Sequence, residues 1–186
     1  MMNASRLRRC WPLLCLLPWG AWGDTGVDDL SRTQAFTVNA TLVNGCVLGS
    51  GTSDVSTFGT LSFGSRSSLD AAADVASNQG TGSVVLRCTP GTSVTLALGN
   101  GNNVTGSIAS GRLLRNASTG ETLLYQIYQD AGRTTVWGNG SNGGTVQAFS
   151  ATGAVQEYKL YARLFASSTL PTAGNYSDSV LVTVTY

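Results

Sequence analysis

Residues 176–186 form the stretch that most constrains what this chain can fold into. Val180, Val182 and Val184 share one face of an extended segment there. A leucine at position 181 and threonines at positions 183 and 185 fall on the opposite face. This period of two is typical of a half-buried β-strand. No turn or further strand follows it in the sequence, so we expect one edge of this strand to await a segment from elsewhere.

The composition favours an all-β fold with one main domain. The chain has 186 residues, is rich in glycine and only 11% charged, and its short Val, Leu, Thr and Tyr segments are separated by turn-forming residues. Such a pattern is typical of a two-layer antiparallel β-sandwich.

The first 23 residues have the layout of a secretory signal peptide. Three arginines, Arg6, Arg8 and Arg9, precede a short apolar run that Pro12 and Pro18 interrupt, and small residues end at position 23. The run is far shorter than the roughly 20 residues of a membrane span. We therefore predict that the chain is exported and not inserted in a membrane.

Residues 24–34 are polar and aperiodic, which predicts a flexible leader. Without the signal peptide, the 11 basic residues fall to eight against ten acidic ones, so the net charge becomes −2. A chain with this charge has no basic surface for nucleic acid.

Cys46 and Cys88 are the only cysteines beyond the predicted cleavage site, because Cys10 and Cys15 lie in the signal peptide. In an oxidising compartment they are expected to form one disulfide, which stabilises by roughly 4 kcal/mol in the chain-entropy model. Their spacing is far from that of a Cys-x-x-Cys motif, and the chain has no histidine. We expect no metal and no cofactor.

Residues 35–44 alternate as clearly as the C-terminal stretch does. Phe36, Val38, Ala40 and Leu42 fall on one face, and polar side chains lie between them. Two interpretations remain open from the pattern alone. In one, the segment is the first strand of the domain that residues 45–186 form. In the other, it is a strand that the chain supplies to another molecule.

Three further expectations concern the middle of the chain. Residues 65–80 are small and polar, which predicts a long surface loop. Residues 121–129 are apolar on both faces, which predicts a central strand, and residues 157–166 predict one long amphipathic strand.

Catalytic chemistry has little support in the sequence. The absence of histidine excludes Ser/His/Asp and Cys/His nucleophilic sites. Carboxylates such as Glu121, Asp130, Glu157 and Asp178 lie near predicted strand ends, where solvated acids are the default. We expect no enzymatic activity.

Four motifs in fixed order resemble a known family. They are the segment FGTLSFG at residues 58–64, Arg112 with Leu114, the segment YQIYQD at residues 125–130, and the C-terminal stretch from residue 174 onward. With the cysteine pair, they resemble the spore coat protein U domain of Csu-type pilins from the archaic chaperone–usher pathway. The resemblance extends over residues 36–186.

The resemblance implies an incomplete immunoglobulin-like antiparallel β-sandwich that lacks its last strand. Its partners would be a periplasmic chaperone, an outer-membrane usher and neighbouring pilin subunits, and it would end on the cell surface in a pilus that supports attachment and biofilm formation. The donor strand would be residues 35–44, with Phe36, Val38, Ala40 and Leu42 inserted, and Val180, Val182 and Val184 would line the acceptor groove edge.

Two alternatives remain open beside this interpretation. One is a single-domain adhesin, or a module that binds a carbohydrate or a surface. The other is a secreted monomer in which residues 35–43 complete their own domain.

Overall fold

The computed structural model describes residues 31–186, so the predicted signal peptide and most of the predicted leader lie outside the described residues. Every regular element between residues 31 and 186 is a β-strand, and all strand pairs are antiparallel. The predicted all-β class is therefore confirmed. No helix suited by length and apolar content to crossing a membrane occurs in this part of the chain.

The strands of the described residues form three antiparallel sheets. One has the order β1-β3-β8, a second the order β10-β5-β6-β9-β2, and a third the order β11-β4-β7. The bounds are β1 Cys46–Leu48, β2 Ala73–Ala76, β3 Val84–Cys88, β4 Ser93–Leu98, β5 Arg112–Asn116, β6 Thr122–Tyr128, β7 Gln147–Ser150, β8 Gln156–Tyr158, β9 Tyr161–Leu164, β10 Tyr176–Ser177 and β11 Val182–Thr185.

A single apolar core lies within the unit formed by residues 41–186. Strands β3 and β4 contribute fully buried side chains, and in β4 the buried positions alternate, as expected for a strand with one face on the core. Strand β6 lies between β5 and β9, which confirms the predicted central strand. The core members most removed from solvent include Val84, Leu86, Val94, Leu96, Leu98 and Trp137.

The expectation of a surface loop at residues 65–80 was wrong. Residues 73–76 form β2, which pairs with β9, and Leu69 and Ala73 are buried in the core. Small residues with little intrinsic β-propensity pair here because tertiary contacts outweigh local preference. The bidentate hydrogen bond from Arg163 to Asp74, at 2.7 and 2.8 Å, strengthens that pairing.

The long strand expected at residues 157–166 is two strands instead. Strand β8 pairs with β3 in one sheet, whereas β9 pairs with β6 and β2 in another. The backbone N–H of Leu160, between them, donates to the Ser77 hydroxyl at 2.7 Å. The carbonyl of Leu160 in turn accepts from the backbone N–H of Ser77 at 2.9 Å, so both backbone groups of Leu160 are paired where the chain passes from one sheet to the other.

The predicted disulfide is confirmed. Cys46 and Cys88 are joined with an S–S distance of 2.07 Å. They are directly opposite residues in the β1–β3 register, the first of three pairs.

Candidate functional site

Strand β11 has one free edge within the described residues. It pairs antiparallel with β4, from Val182 opposite Leu98 to Thr185 opposite Thr95, and no other strand of residues 31–186 pairs with it. Its outer N–H and C=O groups therefore lack a strand partner in this part of the chain. Such an edge is a template for strand addition.

The valines of this stretch face the core but remain half-buried. Val180, Val182 and Val184 pack against the buried cluster, whereas Leu181 between them is 74% exposed. The alternation predicted from the sequence is thus present, although the ladder itself begins at Val182. A segment lying along the free edge would remove further apolar surface from water.

A second extended segment with unpaired backbone is the strap, which we define as residues 58–64. Phe58, Leu61 and Phe63 are half-buried and pack against the core. Its only strand-like contact in the described structure is the isolated bridge between Gly59 and Thr81, and residues 60–64 make no backbone–backbone hydrogen bond there. The strap therefore covers the core with side chains, while residues 60–64 remain without backbone ladder partners within residues 31–186.

The inner faces of β5 and β6 are also incompletely covered at one end. Leu114 and Leu123, which are opposite each other in the register, are half-buried, whereas Tyr125 and Ile127 further along β6 are buried. We call the half-buried residues of the stretch 178–185, the strap and this leucine pair the candidate acceptor surface.

Tyr125 contacts two parts of this surface. Its ring makes an edge-to-face contact with Phe63 of the strap, with centroids 6.3 Å apart and an interplanar angle of 69°. Its hydroxyl donates to Asp178 Oδ2 at 2.6 Å, two residues before Val180. Burial, followed by this hydrogen bond, raises the pKa of Tyr125 well above its usual value of 10.0.

Asp178 fixes the approach to β11. One carboxylate oxygen, Oδ1, accepts from the backbone N–H of Asn102 at 2.7 Å, from Nδ2 of Asn103 at 3.1 Å and from the N–H of Ser179 at 2.9 Å. The expectation that Asp178 is an ordinary solvated acid was therefore wrong. The Asn102 and Asn103 donors lie more than 70 residues earlier in the chain, so no local pattern reveals them.

Arg112 supports the same region from inside the core. Its guanidinium is fully buried and donates to the carbonyls of Gly99 and Trp137, both at 2.8 Å, and to Gln126 Oε1 at 2.6 Å. Burial lowers its pKa below the usual value of 12.5. The N–H of Gly99 in turn donates to the carbonyl of Leu181 at 2.9 Å. The buried Arg112 guanidinium therefore positions Gly99, which binds the residue just before β11.

The residues predicted as a donor strand are exposed and carry no strand assignment. Phe36 is 86% exposed, Val38 is 79% exposed and Leu42 is 87% exposed, and Ala40 is exposed as well. Three large apolar side chains exposed this close together are unusual for a folded protein. The role of this segment as a donor stays a prediction.

Metal or redox chemistry has no visible site among residues 31–186. No group of three or more His, Cys, Asp or Glu side chains there could hold an ion. Asp74, the carboxylate with two arginine neighbours, is engaged by Arg163 and lies 3.2 Å from Nε of Arg133.

A family model described as the Spore Coat Protein U domain matches residues 32–183. The chain belongs to this family. That confirms the membership indicated by the sequence motifs. A curated relative, Protein U of Myxococcus xanthus, is 31% identical over 160 residues, which cover 84% of this chain and 86% of the relative.

Two solved structures of pilus proteins are similar at lower identity. One is the CsuC–CsuE chaperone–tip adhesion subunit pre-assembly complex of archaic chaperone–usher Csu pili from Acinetobacter baumannii, with 20% identity, a TM-score of 0.49 and 78% of this chain covered. The other is a chaperone–tip adhesin complex of CFA/I fimbriae, with 15% identity, a TM-score of 0.42 and 64% covered. The chain spans 41% and 37% of the length of those two solved chains.

Proposed function

We propose that this protein is a structural pilus subunit that polymerises by donor-strand complementation and has no enzymatic activity. Residues 35–44 of one subunit would lie along the free edge of β11 in the next. The observation that carries the proposal is that edge, where Val180, Val182 and Val184 pack on the core yet remain half-buried. In this interpretation the domain is an immunoglobulin-like sandwich whose missing strand comes from a neighbour.

The strap supports the same proposal. A donor strand inserted along β11 pairs one of its edges with β11. The backbone groups on its other edge find partners only if another extended segment lies beside them. Residues 60–64 make no backbone–backbone hydrogen bond in the part of the chain that the structure describes. Tyr125 contacts both Phe63 of the strap and Asp178, which precedes β11. We therefore assign Leu61 and Phe63 to the acceptor, beside the valines predicted from the sequence.

Apolar burial supplies enough free energy for a lasting joint. Burying Phe36, Val38 and Leu42 is worth roughly 1.5 to 3 kcal/mol each, and Ala40 adds less. The sum is on the order of 5 to 9 kcal/mol before the cost of ordering the segment. New backbone hydrogen bonds add about 0.5 to 1.5 kcal/mol apiece.

The two complementary parts of one chain differ, so the contact is heterologous. Such head-to-tail contacts need not close into a ring and generate open filaments. An unfilled acceptor surface is prone to aggregation before assembly. A periplasmic chaperone would prevent this by covering that surface, and an outer-membrane usher would then receive the subunit for assembly. The filament would stand on the cell surface and support attachment and biofilm formation.

Size-exclusion chromatography with light scattering tests the proposal. The protein without residues 1–23 is compared with a variant that also lacks residues 24–43, each refolded with the Cys46–Cys88 disulfide intact. We expect long polymers from the first, and from the second a monomer of low stability that a peptide of residues 35–43 stabilises.

A different outcome would identify self-complementation. If the longer chain stays a stable monomer and the deletion unfolds it, the N-terminal segment completes its own domain, and the pilus proposal fails. A stable monomer from both variants would exclude strand donation in either form.

A further inference from the structure

The disulfide lies where the proposed donor strand joins the rest of the chain. The donor segment ends at residue 44, and Cys46 is the first residue of β1. In a filament held together by donor strands, which is the proposed function on which this inference rests, tension on a subunit enters its domain through this junction. The way in which Cys46 is attached therefore decides what the tension reaches next.

Without the disulfide, this junction would resist pulling poorly. Strands β1 and β3 are antiparallel, and Cys46 at the start of β1 is opposite Cys88 at the end of β3. The chain therefore enters and leaves the pair at the same end. A pull on that end loads the ladder's hydrogen bonds one after another rather than together, and the ladder has only three register pairs.

Some of the residues between the two cysteines have little backbone pairing. They include the strap, in which residues 60–64 make no backbone–backbone hydrogen bond, and β2, which lies at the edge of its sheet. Once β1 separated from β3, the backbone ladders left to oppose the release of this part of the chain would be β2–β9 and β3–β8. The domain would lengthen before the joint between subunits came under full load.

Beyond Cys88 the chain reaches the acceptor edge almost at once. Residues 89–92 form a turn with a hydrogen bond from Thr92 N–H to the carbonyl of Thr89, and β4 follows. Residues 95–98 of β4 pair with β11. The covalent route from donor to acceptor therefore passes from Cys46 through the disulfide to Cys88, through one turn and into β4.

We propose that the Cys46–Cys88 disulfide is a mechanical clamp that keeps residues 47–87 out of the path of tension in the filament. It closes the β1–β3 ladder covalently at the end where a pull would open it. Tension then reaches β4 and β11 without loading the strap or β2, and the strap keeps its place on the candidate acceptor surface under load.

The size of the effect follows from the sequence separation. The disulfide bridges residues 42 apart. A fully extended chain gains at most 3.3 to 3.6 Å per residue, so reduction makes roughly 140 Å of extra length available per subunit. An optical trap measures steps of this size directly.

The experiment reproduces the loading of a filament with one chain. One handle is attached to the N-terminus of the protein without its signal peptide, and the other to a peptide of residues 31–45 bound as donor. We expect the oxidised protein to stretch elastically until the peptide leaves. After reduction in the flow cell, we expect steps that sum to about 140 Å before the peptide leaves.

A relocated disulfide separates clamping from general stabilisation. The matched variant replaces both native cysteines by serine and carries Ala97→Cys with Thr183→Cys, which are opposite residues of the β4–β11 ladder. This crosslink also closes a long loop but leaves residues 47–87 in the path of tension. We expect the steps to persist in this variant even when it is oxidised.

Other outcomes overturn the inference in distinguishable ways. If the peptide binds but the extension before release is the same in both redox states, the clamp is wrong and the pilus proposal stands. The clamp is also wrong if reduction unfolds the chain before any force is applied, or if the relocated disulfide suppresses the steps. If no donor peptide binds at all, the pilus proposal fails and the clamp fails with it.

Discussion

The hydroxyl of Tyr125 donates a hydrogen bond to Asp178 Oδ2 at 2.6 Å across 53 residues of sequence. The same tyrosine ring packs edge-to-face on Phe63 of the strap. One side chain of the central strand β6 thus sets the positions of the strap and of the stretch that leads into β11. Both belong to the candidate acceptor surface, so a change at Tyr125 is expected to alter strand acceptance as well as stability.

Tyr125→Phe isolates the hydroxyl from the ring. Hydrogen bonds to charged groups contribute about 1.5 to 3 kcal/mol, so we expect a loss of about 2 kcal/mol in the free energy of unfolding, measured by urea denaturation with the disulfide intact. The Phe63 contact is retained, so the variant should fold. We also expect a bound donor peptide to dissociate faster. A variant of unchanged stability and unchanged dissociation rate would contradict the positioning role.

Alkaline pH should weaken the protein through the same residue. The pKa of Tyr125 is raised in the folded state, chiefly by burial and then by its bond to Asp178. A raised folded pKa contributes stability that is complete below the unfolded value of about 10 and is lost as the pH rises toward the folded value. We expect unfolding free energy to fall by up to about 1.4 kcal/mol per pH unit above that point.

Comparison with Tyr125→Phe identifies the source of this loss. Burial also raises the pKa of Tyr158, so some alkaline destabilisation should remain in the variant. The difference between the two proteins at pH 9 and pH 11 is the part due to Tyr125. Equal slopes in both proteins would show that Tyr125 ionises as easily when folded as when unfolded.

Sequence periodicity predicted the elements in which one face meets the core. The alternation of Val180, Val182 and Val184 is local, because it depends only on which residues follow one another. Strand β2 was missed because its pairing comes from β9, about 90 residues later, and from the bond between Arg163 and Asp74. Local preference contains no information about such partners.

The polar supports of the candidate site were missed for the same physical reason. Asp178 takes its hydrogen bonds from Asn102, Asn103 and Tyr125, and nothing in its own neighbourhood distinguishes it from a solvated acid. Arg112 lies in a short strand, where arginine is normally exposed. Its burial becomes understandable only when the carbonyls of Gly99 and Trp137 are brought beside it.

Arg112→Lys should be strongly destabilising despite the retained charge. The planar guanidinium reaches Gly99, Trp137 and Gln126 at once, and a single ammonium nitrogen cannot replace all three contacts. A buried acceptor left without its donor costs about 1 to 3 kcal/mol, so we expect a loss of about 2 to 4 kcal/mol in chemical denaturation.

Arg115→Lys is the matched control for that change. Arg115 is exposed and lies three residues further along the same strand. Its replacement is expected to alter the unfolding free energy by no more than about 0.5 kcal/mol. Comparable losses in the two variants would show that strand propensity, not the buried contacts of Arg112, governs the result.

The two faces of the N-terminal segment give the sharpest test of strand donation. Val38→Asp places a carboxylate on the face that would enter the acceptor surface, and Thr37→Asp places the same charge on the opposite face. Both residues are exposed in the described structure, so neither change should alter the stability of the domain itself. An unpaired buried carboxylate is very costly, so we expect Val38→Asp to abolish polymers in light scattering.

In competition binding, a donor peptide with Val38→Asp should lose affinity by at least about 100-fold, equivalent to about 2.8 kcal/mol, whereas one with Thr37→Asp should bind within about threefold of the native peptide. If the two peptides bind alike, the segment does not insert as an alternating strand, because only an extended backbone with one buried face separates neighbouring residues in this way.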